Sequence, residues 1–129
     1  KIKFLGLVDR IDSTDQGIRL IDYKTGMVLK KDLNIYDFDQ LTKKHKALQL
    51  FFYALLWNNS QEKTDNLICQ IISLKNTYQP KLNLTFKKSD TINNELVSNY
   101  SNWLMNFVEE IKNTEVFNHR IDSSYCEIC

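Results

Sequence analysis

Residues 6–26, GLVDRIDSTDQGIRLIDYKTG, carry the pattern on which the fold turns. In the wider run 3–11, KFLGLVDRI, the residues Lys3, Leu5, Leu7, Asp9 and Ile11 share one face of an extended chain, and Phe4, Gly6, Val8 and Arg10 share the other. Residues 12–17, DSTDQG, are all turn formers, and 18–24, IRLIDYK, alternates again so that Ile18, Leu20, Asp22 and Lys24 fall together. Two alternating runs joined by a turn predict an antiparallel hairpin, closed by Thr25-Gly26.

Working outward, residues 27–43 are polar and irregular with isolated apolar anchors such as Leu33 and Phe38, which predicts a long crossing loop. From His45 to about Trp57 apolar residues recur at helical spacing on more than one face, so this helix is expected to be buried on most sides, with Asn58-Asn59-Ser60 closing it. The nearly continuous apolar run 67–74, LICQIISL, reads as a strand covered on both faces, and 81–86, KLNLTF, as its partner across the connection 76–80. Ser89-Asp90 is expected to open a long helix through about Asn113, with Leu96, Tyr100, Trp103, Leu104, Phe107, Val108 and Ile111 as its stripe. The predicted order β-β-α-β-β-α, without repeats, makes the class α+β.

Size and composition set the bounds. A chain of 129 residues with 43% apolar and 26% charged side chains is ordinary globular material of one domain. Seventeen basic against sixteen acidic residues leave +1, so no global charge advertises nucleic acid, and such a surface must come from local placement. Three cysteines are an odd number, no run approaches the ~20 apolar residues of a membrane span, and no signal peptide is evident, so a cytoplasmic, reduced protein without a membrane partner is expected. The chain starts on Lys1 without Met and stops on Cys129 inside a cysteine motif, which predicts a piece of a longer protein.

The chemistry is expected at Asp9, Asp22 and Lys24. Acidic residues are disfavoured inside strands, and two of them here sit among Leu and Ile on faces predicted to be core. A shared divalent cation such as Mg²⁺ would compensate that burial, because hard ions take carboxylate oxygens and keep several waters. The 13 positions between Asp9 and Asp22 span the predicted turn, so the hairpin sets the two carboxylates on neighbouring strands. Lys24 projects from the same side as Asp22, within reach of a water or of charge developing on phosphate. The competing reading is a solvated strand face carrying Asp-x-Lys.

The string Gly6-Leu7-Val8-Asp9-Arg10-Ile11-Asp12, a turn with Gly17, and Ile21-Asp22-Tyr23-Lys24-Thr25-Gly26 resembles the RecB-like nucleases of the PD-(D/E)XK superfamily, in particular the C-terminal nuclease domains of RecB and AddB proteins. Gln49 followed by Tyr53 is similar to that family's Gln-x-x-x-Tyr motif. The resemblance is carried by residues 4–57 and continues to the end through element order. It implies a restriction-endonuclease-like core, a mixed central sheet of about four strands flanked by helices. It implies Asp9 and Asp22 as metal ligands, the Tyr23 backbone carbonyl as a third, Lys24 as the catalytic lysine, and Gln49 and Tyr53 as supporting or DNA-contacting residues. The implied activity is Mg²⁺- or Mn²⁺-dependent hydrolysis of DNA, the exonuclease part of a helicase–nuclease in double-strand-break repair and recombination, with a helicase domain or subunit as partner. The alternative is a catalytically inactive nuclease-like module for DNA binding or subunit assembly.

There are departures from the family pattern. Val8-Asp9 stands where the superfamily's nominal motif has Pro-Asp. No helix bearing His or Glu precedes the first strand, and neither His45 nor His119 occupies that place, so the domain is expected to lack an N-terminal helix as well as a C-terminal cysteine-containing extension. Cys126 and Cys129 form a Cys-x-x-Cys where AddB-like nucleases place iron–sulfur ligands, but a cluster takes four thiolates, and zinc binding or two inert thiols stay open. Cys69 lies in an apolar strand and reads as a small buried hydrophobe. Lys30, Lys31, Lys43, Lys44 and Lys46 bracket the loop after the second strand, where a phosphate backbone would run, while Lys75, Lys81, Lys87 and Lys88 read as solvated surface. His45 and His119 are expected at the surface.

Overall fold

The computed structural model describes residues 2–60 and 66–117. In chain order its elements are β1 (Arg10–Thr14), β2 (Gly17–Lys24), a short β3 (Asn34–Ile35), α1 (His45–Ser60), β4 (Leu67–Ser73), β5 (Lys81–Asn83), β6 (Thr85–Phe86) and α2 (Asn94–Asn113). β2 has a neighbour on each side. β1 runs antiparallel to it, with Arg10 opposite Ile21 and Thr14 opposite Gly17. β4 runs parallel, with Ile18 opposite Leu67 and Lys24 opposite Ser73. β5 pairs antiparallel with β4, which completes a mixed four-stranded sheet of order β1-β2-β4-β5. The architecture is the α+β class read from the sequence, consistent with a restriction-endonuclease-like core.

A parallel pair needs a crossover, and α1 lies between β2 and β4 in the chain. Alternation puts Leu20 and Asp22 of β2, Cys69, Ile71 and Ser73 of β4, and Leu82 of β5 on one face, all buried. α1 lays Ala47, Leu50, Phe51 and Ala54, all fully buried, against that face. α2 then covers α1, with Tyr100 stacked on Phe51 at 5.2 Å between ring centroids. Phe38 extends this aromatic cluster, stacking on Phe86 at 5.0 Å and meeting Phe51 edge-on at 5.6 Å. Such pairs add about 0.5–1.5 kcal/mol each beyond the area they bury.

The sequence expectations need five corrections. Residues 2–8 form no strand; they cross α1, with Phe4 edge-on to Phe52 at 5.6 Å and Leu5 and Leu7 turned outward at 74% and 83% exposure. A Cβ on Gly6 would come within 2.8 Å of Leu56, so the close approach of backbone to helix fixes which face points inward. Both faces of this run carry apolar residues, so alternation alone could not choose between them. The turn tightens to Asp15-Gln16, while Asp12, Ser13 and Thr14 stay in the ladder. The run 81–86 breaks at Leu84, whose N–H donates to the Cys69 carbonyl while Thr85 N–H donates to the Leu33 carbonyl, so the chain leaves the main sheet to pair β6 with β3. The loop 27–43 contains that β3 strand and two 3-10 turns, Lys30–Asp32 and Phe38–Thr42. α2 starts later than expected because Ile92 still pairs with Leu67; the cap is Asn93, whose side-chain oxygen accepts from Leu96 N–H at 2.8 Å.

Candidate active site

Asp22 and Lys24 lie two residues apart on β2 and share the buried face, so α1 passes over both. On α1, Gln49 and Tyr53 are one turn apart and point the same way. The result is a closed network. Lys24 Nζ donates to Gln49 Oε1 at 2.8 Å, Gln49 Nε2 donates to Asp22 Oδ1 at 3.3 Å, and the same Nε2 donates to the Tyr53 hydroxyl at 2.6 Å. Lys24 Nζ also lies 2.8 Å from Asp22 Oδ2 as an ion pair. Asp9 immediately precedes β1, and its Oδ2 accepts from Tyr23 N–H at 2.8 Å, which holds this carboxylate beside the β2 backbone next to Asp22.

Burial divides the two acids. Asp22 is 3% exposed, whereas Asp9 is exposed, so the expectation that both sit on a core face holds for Asp22 alone. Asp9 precedes the first ladder residue of β1, and residues 2–8 leave the sheet there, so Asp9 stays exposed. The Asp22 Oδ2 atom is buried and makes no hydrogen bond of acceptable direction, although the Lys24 ammonium is close. The ammonium is the one near partner that the described residues give this oxygen, and the carboxylate keeps lone-pair capacity for a further ligand. A buried anionic oxygen in that state is costly, and a hard cation satisfies it. Among the described residues no group of three or more His, Cys, Asp or Glu side chains gathers, and the donors that could face a cation here are the Asp9 and Asp22 carboxylates with nearby backbone oxygens. That oxygen set, completed by water, suits Mg²⁺ or Mn²⁺ rather than a structural zinc.

Among the described residues no arginine pairs with either acid: Arg10 pairs with Asp12 at 2.7 Å instead, which raises the Arg10 pKa further above its ordinary value. Burial pushes the Tyr53 phenol above its ordinary pKa, opposed by the hydrogen bond from Gln49, so it stays protonated at neutral pH. Of the lysines around the crossing loop, Lys44 donates to the Asn34 carbonyl at 2.6 Å and Lys46 lies 3.7 Å from Asp32, while Lys30, Lys31 and Lys43 are exposed. His45 is exposed and Cys69 fully buried, its thiol pushed up to about 12 by that burial. Cys126, Cys129 and His119 lie outside the described residues.

The profile of the PD-(D/E)XK nuclease superfamily matches residues 1–129, the whole chain. The chain belongs to the PD-(D/E)XK nuclease superfamily. Neither the curated proteins nor the solved structures yield a significant match to it. In this PD-(D/E)XK chain, sequence reasoning missed one structural feature of the site. Ser73, fully buried at the end of β4, donates from Oγ to the Gly26 carbonyl at 2.8 Å, and Asn76 brackets Val28 by accepting from its N–H at 3.2 Å and donating to its carbonyl at 2.7 Å. These bonds fix the loop that leaves β2 just after Lys24. The legible signal was a serine closing a strand run that is apolar apart from Gln70, since a buried hydroxyl requires a partner.

Proposed function

We propose that this chain is a metal-dependent deoxyribonuclease domain of the RecB-like branch, acting as the exonuclease part of a helicase–nuclease in double-strand-break repair and recombination. One observation carries the nuclease reading: the buried Asp22 carboxylate meets the Lys24 ammonium at 2.8 Å, while Asp9 is held by the backbone N–H of the intervening Tyr23. Asp9, Asp22 and the Tyr23 carbonyl would hold Mg²⁺ or Mn²⁺. When bound, such an ion supplies Lewis acidity toward phosphate and lowers the pKa of water.

The chain's own residues do the positioning. Lys24 has three N–H donors; one serves Gln49, a second faces Asp22, and the third is left to orient a water or a non-bridging phosphate oxygen. Gln49 fixes the Lys24 rotamer from one end of its amide and Asp22 from the other. Tyr53 accepts from that same amide and so sets its orientation. The RecB-like assignment and the helicase partner rest on the motif strings around Asp9, Asp22 and Gln49.

The test is hydrolysis of linear DNA with Mg²⁺ or Mn²⁺. Asp22→Ala and Lys24→Ala should each lower cleavage by about 10²-fold or more while circular dichroism stays native. Undiminished cutting by either variant rejects the reading. DNA binding without cleavage under every divalent metal favours the inactive docking module instead. Visible absorbance of the full-length protein would report an iron–sulfur cluster at Cys126 and Cys129.

A further inference from the structure

The end of the sheet that carries Lys24 also exposes large apolar side chains. Tyr78 is 102% exposed, Leu74 67% and Met27 60%. All three belong to the two loops that leave β2 and β4 beside the candidate site, since the Leu74 N–H donates to the Lys24 carbonyl at 2.8 Å. Met27, Lys75 and Tyr78 line one shallow hollow of about 390 Å³ with Leu29 and Asn76. The loops are not loosely held. The Asn76 side chain bonds to both backbone groups of Val28 and to the Gln79 carbonyl, and the Asn76 backbone N–H donates to Ser73 Oγ at 3.3 Å.

A braced turn that presents a solvent-exposed aromatic ring, with Met27 and Lys75 lining the same hollow, is a preformed stacking surface. Every unpaired nucleobase offers a π-face to such a ring, and its phosphate offers an anion to the neighbouring lysine. Bases inside a duplex are already stacked and present only their edges. We propose that the Met27–Tyr78 hollow stacks unpaired bases of single-stranded DNA and guides the strand to Asp22 and Lys24. The proposal rests on the nuclease reading and names its substrate class.

The test is equilibrium binding, in EDTA, of the full chain to a short labelled oligothymidylate and to a blunt duplex of equal length. Tyr78→Ala should weaken oligothymidylate binding about 5- to 100-fold and leave duplex binding unchanged, because one base–aromatic stack accounts for that range. Tyr78→Phe should restore binding, and Lys75→Gln should flatten the salt dependence by roughly 0.7 in log–log slope. Tyr78 is 102% exposed, so an unchanged thermal unfolding curve should accompany these variants. Unchanged oligothymidylate affinity in Tyr78→Ala, or an equal loss on both DNAs, overturns the proposal. A wild-type chain that binds neither DNA also overturns it, and the nuclease reading still stands if Mg²⁺-dependent cleavage requires Asp22.

Discussion

At the scale of single residues, the site depends on how one glutamine amide is spent. Gln49 serves Lys24, Asp22 and Tyr53 at once, so Gln49→Leu leaves a buried carboxylate oxygen and the ammonium short of partners. The expected cost is about 1–3 kcal/mol, read as a lower urea midpoint at unchanged slope, with cleavage reduced less than in Asp22→Ala. Tyr53 and Tyr100 both have phenol pKa values raised by burial. A phenol whose folded-state pKa lies above its unfolded value of about 10 stabilises the fold fully below that pH, and the contribution is lost as pH rises beyond it. Tyr53 and Tyr100 should therefore ionise late in the absorbance titration of the native chain, and at the ordinary phenol value in urea. Tyr100 is also fully buried with its hydroxyl unpartnered, so Tyr100→Phe should be neutral or stabilising by up to about 1 kcal/mol in the same urea assay.

At the scale of elements, the hairpin depends on one glycine. Gly17 has φ +123°, and a Cβ there would lie 2.2 Å from the Asn66 carbonyl oxygen, where the start of β4 runs alongside. Gly17→Ala should cost at least about 1–3 kcal/mol from backbone strain, measured by chemical denaturation, and a change below a few tenths would contradict the packing. Element types were legible where periodicity is strong. The stretch from His45 is helical because its apolar positions recur on several faces, and β4 is continuous in apolar and β-branched residues. Boundaries failed where two signals compete. Ser89 and Asp90 look like a cap, yet Ser89 closes a turn with Phe86 and Ile92 pairs with Leu67, so the helix waits for Asn93. The break at Leu84 is set by pairing between β6 and β3, a long-range contact that no local pattern announces.

At the scale of the whole molecule, one face of the sheet carries α1 with α2 packed over it, and the candidate site lies where α1 crosses the C-terminal end of β2. The motif spacing made Asp22, Lys24, Gln49 and Tyr53 legible as a group, because two of them share a strand face and two share a helix face. The burial of Asp9 was misread because it depends on where residues 2–8 go after leaving the sheet, which is a tertiary choice. Cation binding at this site should stabilise the whole fold by about 2.7 kcal/mol at a hundredfold excess over the dissociation constant. Asp22→Asn should abolish that gain in thermal melts.

The central claim is that Asp9 and Asp22 share one hard cation beside Lys24. Calorimetric titration with Mn²⁺ tests it most directly: the wild-type chain should bind one ion, and Asp9→Asn and Asp22→Asn should each lose that binding. Unchanged binding heats in both variants would contradict the account.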